Sequence, residues 1–134
     1  MKRMLILLLA LALCLGAVGC AAEKAGEETV SYNQIDQETA KAMMEQDDGH
    51  VIVDVRRQDE YDEGHIPGAI LIPNESIEGE RPEALPDLEQ VILIYCRSGN
   101  RSKQAASKLA AMGYVNLYEF GGINTWTGGV VTED

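Results

Sequence analysis

Basic side chains are scarce in this chain: 11 Lys and Arg stand against 22 Asp and Glu, a formal charge of −11 at pH 7. So acidic a surface argues against nucleic acid as a partner, because phosphate binding needs a basic face. Histidine is scarcer still, and His50 and His65 lie far apart in sequence with no ligand-like companions, so a histidine metal site is excluded. Long apolar runs are missing outside the first twenty residues, and no internal repeat or low-complexity block is present. Cysteine occurs only at positions 14, 20 and 96, too few and too scattered for a cysteine metal cluster.

What the N-terminus does contain is a leader pattern. Met1-Lys2-Arg3 is a positive start, Met4 to Val18 carries no charge, and Ala17-Val18-Gly19 supplies small residues before Cys20. This reads as an export signal, too short for a comfortable membrane span. Its ending resembles a bacterial lipobox, which implies cleavage before Cys20 and attachment of lipid there. Residues 1–19 are then a lipoprotein-type signal peptide and 20–28 a lipidated tether, with Ala21 to Glu28 polar and without apolar period. Residues 29–134 form one domain, and the expected location is extracytoplasmic, held at a membrane through Cys20. Loss of Lys2 and Arg3 with the signal takes the net charge from −11 to −13. With Cys14 removed and Cys20 lipidated, Cys96 is the single cysteine of the folded domain, so it has no intramolecular disulfide partner. In an oxidising compartment such a thiol is a liability unless buried or employed.

Two apolar runs, Val51-Ile52-Val53 leading into Asp54-Val55 and Val91 to Tyr95, predict central strands buried on both faces. Shorter strand candidates are Val30 to Tyr32, Ala69 to Ile72 and Asn116 to Tyr118. Helical spacing covers Gln37 to Gln46 and Ser102 to Met112, with Gly113 where a left-handed C-terminal cap belongs. Short helices are expected at Asp59 to Glu63 and Gly122 to Trp126, and a loop at Gly79 to Asp87. Strands alternating with helices predict an α/β fold with a mostly parallel sheet, whose sites form beyond the carboxyl ends of the strands.

Cys96 stands at such an end. It follows the apolar run 91–95 and opens Cys96-Arg97-Ser98-Gly99-Asn100-Arg101 before a helix-patterned segment. A strand turning tightly into a helix aims backbone N–H groups and the positive end of the helix dipole at the sulfur. An ordinary thiol is about 3% ionised at pH 7, and lowering its pKa by two units makes it roughly three-quarters thiolate. Arg97 and Arg101 suit a divalent oxyanion through multi-donor contacts, and Gly99 permits a positive φ within the curl. Ser98 and Asn100 are either donors to a ligand or formers of the loop. Arg97 is either a ligand or an outward surface arginine, and Arg101 either serves the anion or pairs with an acidic group. The acidic surface does not forbid an anion site, because at physiological salt charges beyond about 8 Å are screened. It does predict an association rate for anions that rises with salt.

The sequence also holds, in order, Asp54-Val55-Arg56, Glu60-Tyr61, Gly64-His65-Ile66-Pro67-Gly68-Ala69, Tyr95-Cys96-Arg97-Ser98-Gly99-Asn100-Arg101-Ser102, Ala105-Ala106, Leu109, Gly113-Tyr114, and Gly121-Gly122-Ile123 with Trp126. Together these resemble a single-domain rhodanese over nearly the whole domain. The resemblance implies a small five-stranded parallel sheet flanked by helices. It implies sulfane sulfur transfer through a persulfide on Cys96, from a donor such as thiosulfate to cyanide or a thiol, without a cofactor. The backbone of Arg97, Ser98, Gly99, Asn100 and Arg101 would bind the substrate. The six-residue loop resembles sulfurtransferases rather than related phosphatases, whose loop is one residue longer, and the closing Arg101 resembles the thiosulfate-using branch; a phosphatase or arsenate reductase is the third reading. A non-enzymatic persulfide carrier or partner-binding module, with a protein as sulfur acceptor, is the alternative. Asp54 and Arg56 are expected to brace the strand end with Glu60 or nearby backbone, His65 to shape a turn, His50 to be exposed and Trp126 to line the core or a pocket.

Overall fold

The computed structural model describes residues 31–132. The signal segment 1–19 and the tether 20–28 with Cys20 lie outside the described residues. Five strands form one sheet in the order β1-β5-β4-β2-β3, with every ladder parallel: β1 (Asn33–Gln34), β2 (Val51–Asp54), β3 (Ile70–Leu71), β4 (Ile92–Cys96) and β5 (Leu117–Gly122). The helices are α1 (Gln37–Met44), α2 (Gln58–Glu63) and α3 (Asn100–Ala111), with short 3-10 turns at Asn74–Ser76 and Ile123–Thr125.

The expected α/β architecture is therefore present, and β4 lies at its centre. All five residues of β4 are buried, which its unbroken apolar run demands of a strand covered on both faces. Alternate side chains go to opposite layers. Ile92, Ile94 and Cys96 join Val53, Val55, Ala105, Ala106, Leu109 and Leu117 in the core beneath α3. Leu93 and Tyr95 join Ala40, Ile52, Ile66 and Phe120 beneath α1. One strand thus ties both cores together and delivers the thiol on the α3 side.

Several boundaries differ from the sequence expectations. Of the expected strand Val30 to Tyr32, Val30 lies outside the described residues and Tyr32 packs against the core, while the first described strand is Asn33–Gln34, whose polar residues pair with the edge of β5. Strand β5 runs to Gly122, beyond Tyr118, and the expected helix from Gly122 to Trp126 is only the 3-10 turn Ile123–Thr125. Helix α1 stops at Met44, capped at its start by the Asp36 carboxylate accepting from the Thr39 N–H at 2.8 Å. Helix α3 begins at Asn100, two residues before the expected Ser102. That early start draws the end of the cysteine loop into the first helical turn.

Candidate active site

The loop is built on a break in the β4–β5 ladder. Ile94 is opposite Glu119, yet Cys96 is opposite Gly122, so β5 contributes one more residue than β4 between these pairs. This bulge bends β5 beneath the turn that follows Cys96. Gly121 has φ 95°, and a side chain on Gly122 would collide with the Arg97 carbonyl. Backbone packs directly on backbone here, and only glycine permits it.

Cys96 is 1% exposed, and its sulfur accepts the Gly99 N–H at 3.0 Å. Gly99 reaches this position with φ 106°, and α3 begins at the next residue. The helix therefore points its positive end at the loop, and twelve residues are enough to align a substantial dipole. The Arg97 carbonyl accepts the Asn124 N–H at 3.1 Å, which fixes the loop from its other side.

The loop residues then separate. Arg97, Ser98 and Asn100 are exposed, while Gly99 is buried. Arg101 binds Glu60 through two hydrogen bonds, Nη1 to Oε1 at 2.7 Å and Nη2 to Oε2 at 3.0 Å. The Arg101 hydrogen bonds hold the Glu60 carboxyl down at about 2, against the opposing effect of its burial. Of the alternatives open for Arg101, its guanidinium takes the acidic partner, while remaining close enough to Cys96 for their charges to interact. A cleft of about 220 Å³ beside the loop is lined by Arg56, Glu60, Glu63, Arg97, Ile123 and Asn124. A larger hollow of about 470 Å³, walled by Lys41, Met44, Ile52, Ile66 and Trp126 among others, contains no residue of the loop.

Asp54 and Arg56 form the expected brace, and of its two expected partners it takes nearby backbone rather than Glu60. The Asp54 carboxylate accepts from the Arg56 backbone N–H at 2.9 Å, from Nε at 2.9 Å and from Nη2 at 2.7 Å. Arg56 Nη2 also donates to the Gly64 carbonyl at 2.7 Å, while Glu60 turns to Arg101 instead. The Tyr95 hydroxyl donates to Asp54 at 2.7 Å and accepts the Ile66 N–H at 3.0 Å. Burial pushes the Tyr95 phenol well above its ordinary range, and the adjacent Asp54 charge adds to the effect. This buried network holds the end of β2, the 64–66 turn and the residue before Cys96 in one register. His65 is 2% exposed and stacked on Tyr61 with ring centroids 3.8 Å apart, and its backbone bridges Val131. His50 is half-buried against Asp48 rather than merely exposed, with Nδ1 2.7 Å from Oδ1. Trp126 packs against Phe120 and partly lines the larger hollow.

Sequence reasoning passed over Glu119. It is 2% exposed, and its Oε1 lies 2.6 Å from the Ser102 hydroxyl and 2.9 Å from the Gly121 N–H. The signal available was an acidic residue inside an otherwise apolar strand pattern, two positions before a glycine pair.

A five-stranded parallel α/β sheet with a cysteine-bearing loop between its central strand and the following helix defines a fold class. Within it the chain matches the rhodanese-like domain family over residues 36–128, and it belongs to that family. It is 35% identical over 96 residues to thiosulfate sulfurtransferase GlpE of Pseudomonas syringae pv. syringae, covering 71% of this chain and 87% of that protein. Thiosulfate sulfurtransferase PspE of Escherichia coli is 35% identical over 71 residues, covering 53% of this chain and 68% of that protein. A putative sulfur carrier protein, YrkF of Bacillus subtilis, is 33% identical; the match covers 79% of this chain but only 57% of YrkF. Among solved structures, a rhodanese with anions from E. coli superposes with a TM-score of 0.58 at 31% identity, over 63% of this chain and 99% of that one. A rhodanese-like domain protein from Staphylococcus aureus gives 0.65 at 28% identity, over 76% and 99%.

Proposed function

We propose that this chain is a thiosulfate-type sulfurtransferase with Cys96 as its nucleophile. The observation that carries the reading is the Gly99 N–H donated to Cys96 Sγ at 3.0 Å, at the mouth of α3. The N–H that faces the sulfur in the resting protein also faces the charge that moves through it during transfer. The Cys96 thiolate attacks the outer sulfur of thiosulfate; a new S–S bond forms, the old one breaks, and its electron pair leaves with sulfite. Cys96 now carries a persulfide. Cyanide or a thiolate attacks the outer sulfur, and the bonding pair returns to Cys96 as thiolate. No oxidant or reductant enters, and the two half-reactions predict ping-pong kinetics.

The loop residues divide the work. Backbone N–H groups from Arg97 to Arg101 cradle the sulfur anion, and exposed Arg97 meets the sulfonate end of the donor. Arg101 contributes its position and charge rather than a free guanidinium. The relatives named thiosulfate sulfurtransferase support this assignment. The test is incubation of the full chain with thiosulfate, then cyanide, followed by intact mass. A gain of roughly 32 Da on Cys96, discharged by cyanide with turnover and absent in Cys96→Ser, is the expected result. Hydrolysis of an aryl phosphate by the wild type but not by Cys96→Ser would instead assign a phosphatase.

A persulfide carrier is the second reading, favoured by the similarity to the putative sulfur carrier from B. subtilis. It requires that small donors leave Cys96 unmodified while a partner protein loads it. The reading also includes a lipid anchor on Cys20 and an extracytoplasmic location, supported by Met1-Lys2-Arg3, the uncharged stretch to Val18 and the small residues before Cys20. Incorporation of labelled palmitate in bacteria, lost in Cys20→Ser together with membrane fractionation, is the expected result. Label that persists in Cys20→Ser sinks it.

A further inference from the structure

We infer that Glu119 is a positioning residue that locks the cysteine loop against β5 and so sets the Gly99 N–H on the Cys96 sulfur. Glu119 sits opposite Ile94, the last regular pair before the bulge. From there its carboxylate crosses the bulge rather than entering a solvent cleft. Oε1 accepts the Gly121 N–H at 2.9 Å, closing the extra residue of β5 back on its own strand. The same oxygen is 2.6 Å from the Ser102 hydroxyl, which also lies 3.1 Å from the Gly99 carbonyl. Ser102 is fully buried in the first turn of α3. Oε2 is 3.4 Å from Gln34 Nε2, which ties the assembly to β1.

One carboxylate therefore joins the bulge of β5 to the residue that donates to the sulfur. A Cβ on Gly99 would stand 3.7 Å from Gly121 Cα and 3.9 Å from Glu119 Oε1, so loop, bulge and carboxylate are in van der Waals layers. Without the carboxylate, the Gly121 N–H loses its acceptor and the Ser102 hydroxyl is left with carbonyls alone, Gly99 at 3.1 Å and Gly121 at 3.4 Å. The Ser102 hydroxyl is fully buried, so it turns to those carbonyls and carries the loop with it. A buried acid that only stabilised the domain would loosen every element equally. Loss of Glu119 instead loosens the loop first.

The role rests on the sulfur-transfer reading for its effect on turnover, so the test includes a measurement independent of turnover. In the full chain, Glu119→Leu removes the acceptor, Glu119→Gln keeps an oxygen that can accept both bonds, and Ser102→Ala removes the hydroxyl between Glu119 and Gly99 while leaving the Gly121 N–H its acceptor. Amide hydrogen exchange at Gly99 is compared with that at Ile94 in the central strand. For Glu119→Leu, exchange at Gly99 accelerates at least about tenfold beyond any change at Ile94, because local opening is separated from global opening. The kcat for thiosulfate falls roughly 10- to 100-fold with KM within about threefold, the size of effect expected from sub-ångström misplacement. Glu119→Gln restores both within about threefold, and Ser102→Ala gives the same changes in smaller measure. Should Glu119→Leu fail to fold, the other two variants decide. Exchange at Gly99 that only follows Ile94, a Glu119→Gln protein with the loop loosened, or a Ser102→Ala protein identical to the wild type would each overturn the role. A loosened Gly99 in a protein that never transfers sulfur retains Glu119 as the positioning residue and rejects the transfer reading alone.

Discussion

Arg101 and Glu60 meet through two hydrogen bonds of 2.7 and 3.0 Å, joining the first turn of α3 to α2 across the mouth of the cysteine loop. The arginine that closes the loop is thereby fixed by an acid from another element. Charge-assisted two-point bonds of this kind hold orientation as well as position.

This pair makes stability depend on acid in a definite direction. Glu60 is held at about 2, below its ordinary value of 4.5, so its contribution is complete above that value and is lost as pH falls toward 2. With some solvent screening of a pair that retains partial exposure, the contribution is about 1 to 2 kcal/mol. Urea unfolding at pH 6 and at pH 2.5 should show Glu60→Gln less stable than the wild type at pH 6, with the difference shrinking at pH 2.5. An equal difference at both values would remove the pair as its cause.

The two glycines around the loop fail differently when substituted. Gly122→Ala drives a methyl into the Arg97 carbonyl, so backbone must move, at a cost of roughly 2–4 kcal/mol. Gly99→Ala meets no close atom but must hold φ at 106°, which costs about 1–2 kcal/mol. Equilibrium unfolding should rank Gly122→Ala as the more damaged, while sulfur loading of Cys96 falls in both.

Tyr95→Phe separates the scaffold from the chemistry. Removing the hydroxyl leaves the Ile66 N–H without its acceptor and Asp54 without one donor, in a buried network. A loss of about 1–3 kcal/mol in unfolding free energy is expected. The kcat should stay within about twofold, because the hydroxyl points away from the sulfur layer. A larger fall in kcat would show that the network feeds the loop directly.

Arg97→Ala addresses donor binding. Its side chain is exposed beside the cleft and lies in no ion pair among the described residues. Removing it should raise KM for thiosulfate about three- to tenfold with kcat within about twofold, the pattern of lost ground-state binding. Steady-state kinetics checks this, and an unchanged KM would assign donor binding to the backbone alone.

The sequence disclosed what repeats a simple physical rule. The run Val91 to Tyr95 had to be a doubly covered strand, and Cys96 had to stand at its carboxyl end. Asp54 and Arg56, two residues apart past a buried strand, were legible as a brace because neither charge tolerates burial alone. What stayed hidden depended on register. The bulge that shifts Cys96 from Gly121 to Gly122 leaves no mark in hydropathy, so the role of Glu119 beneath the loop was invisible. Likewise β1 is only two polar residues, held by neighbours rather than by any strand preference of its own. The choice of Glu60 between Arg56 and Arg101 was a matter of reach in three dimensions.

Both flanks of the sheet are two-residue strands, Asn33–Gln34 on one side and Ile70–Leu71 on the other. The longer strands are all interior, so among the described residues little unpaired backbone is offered to a neighbouring molecule. Among the described residues, copies crowded together are offered no extended flank on which to template one another.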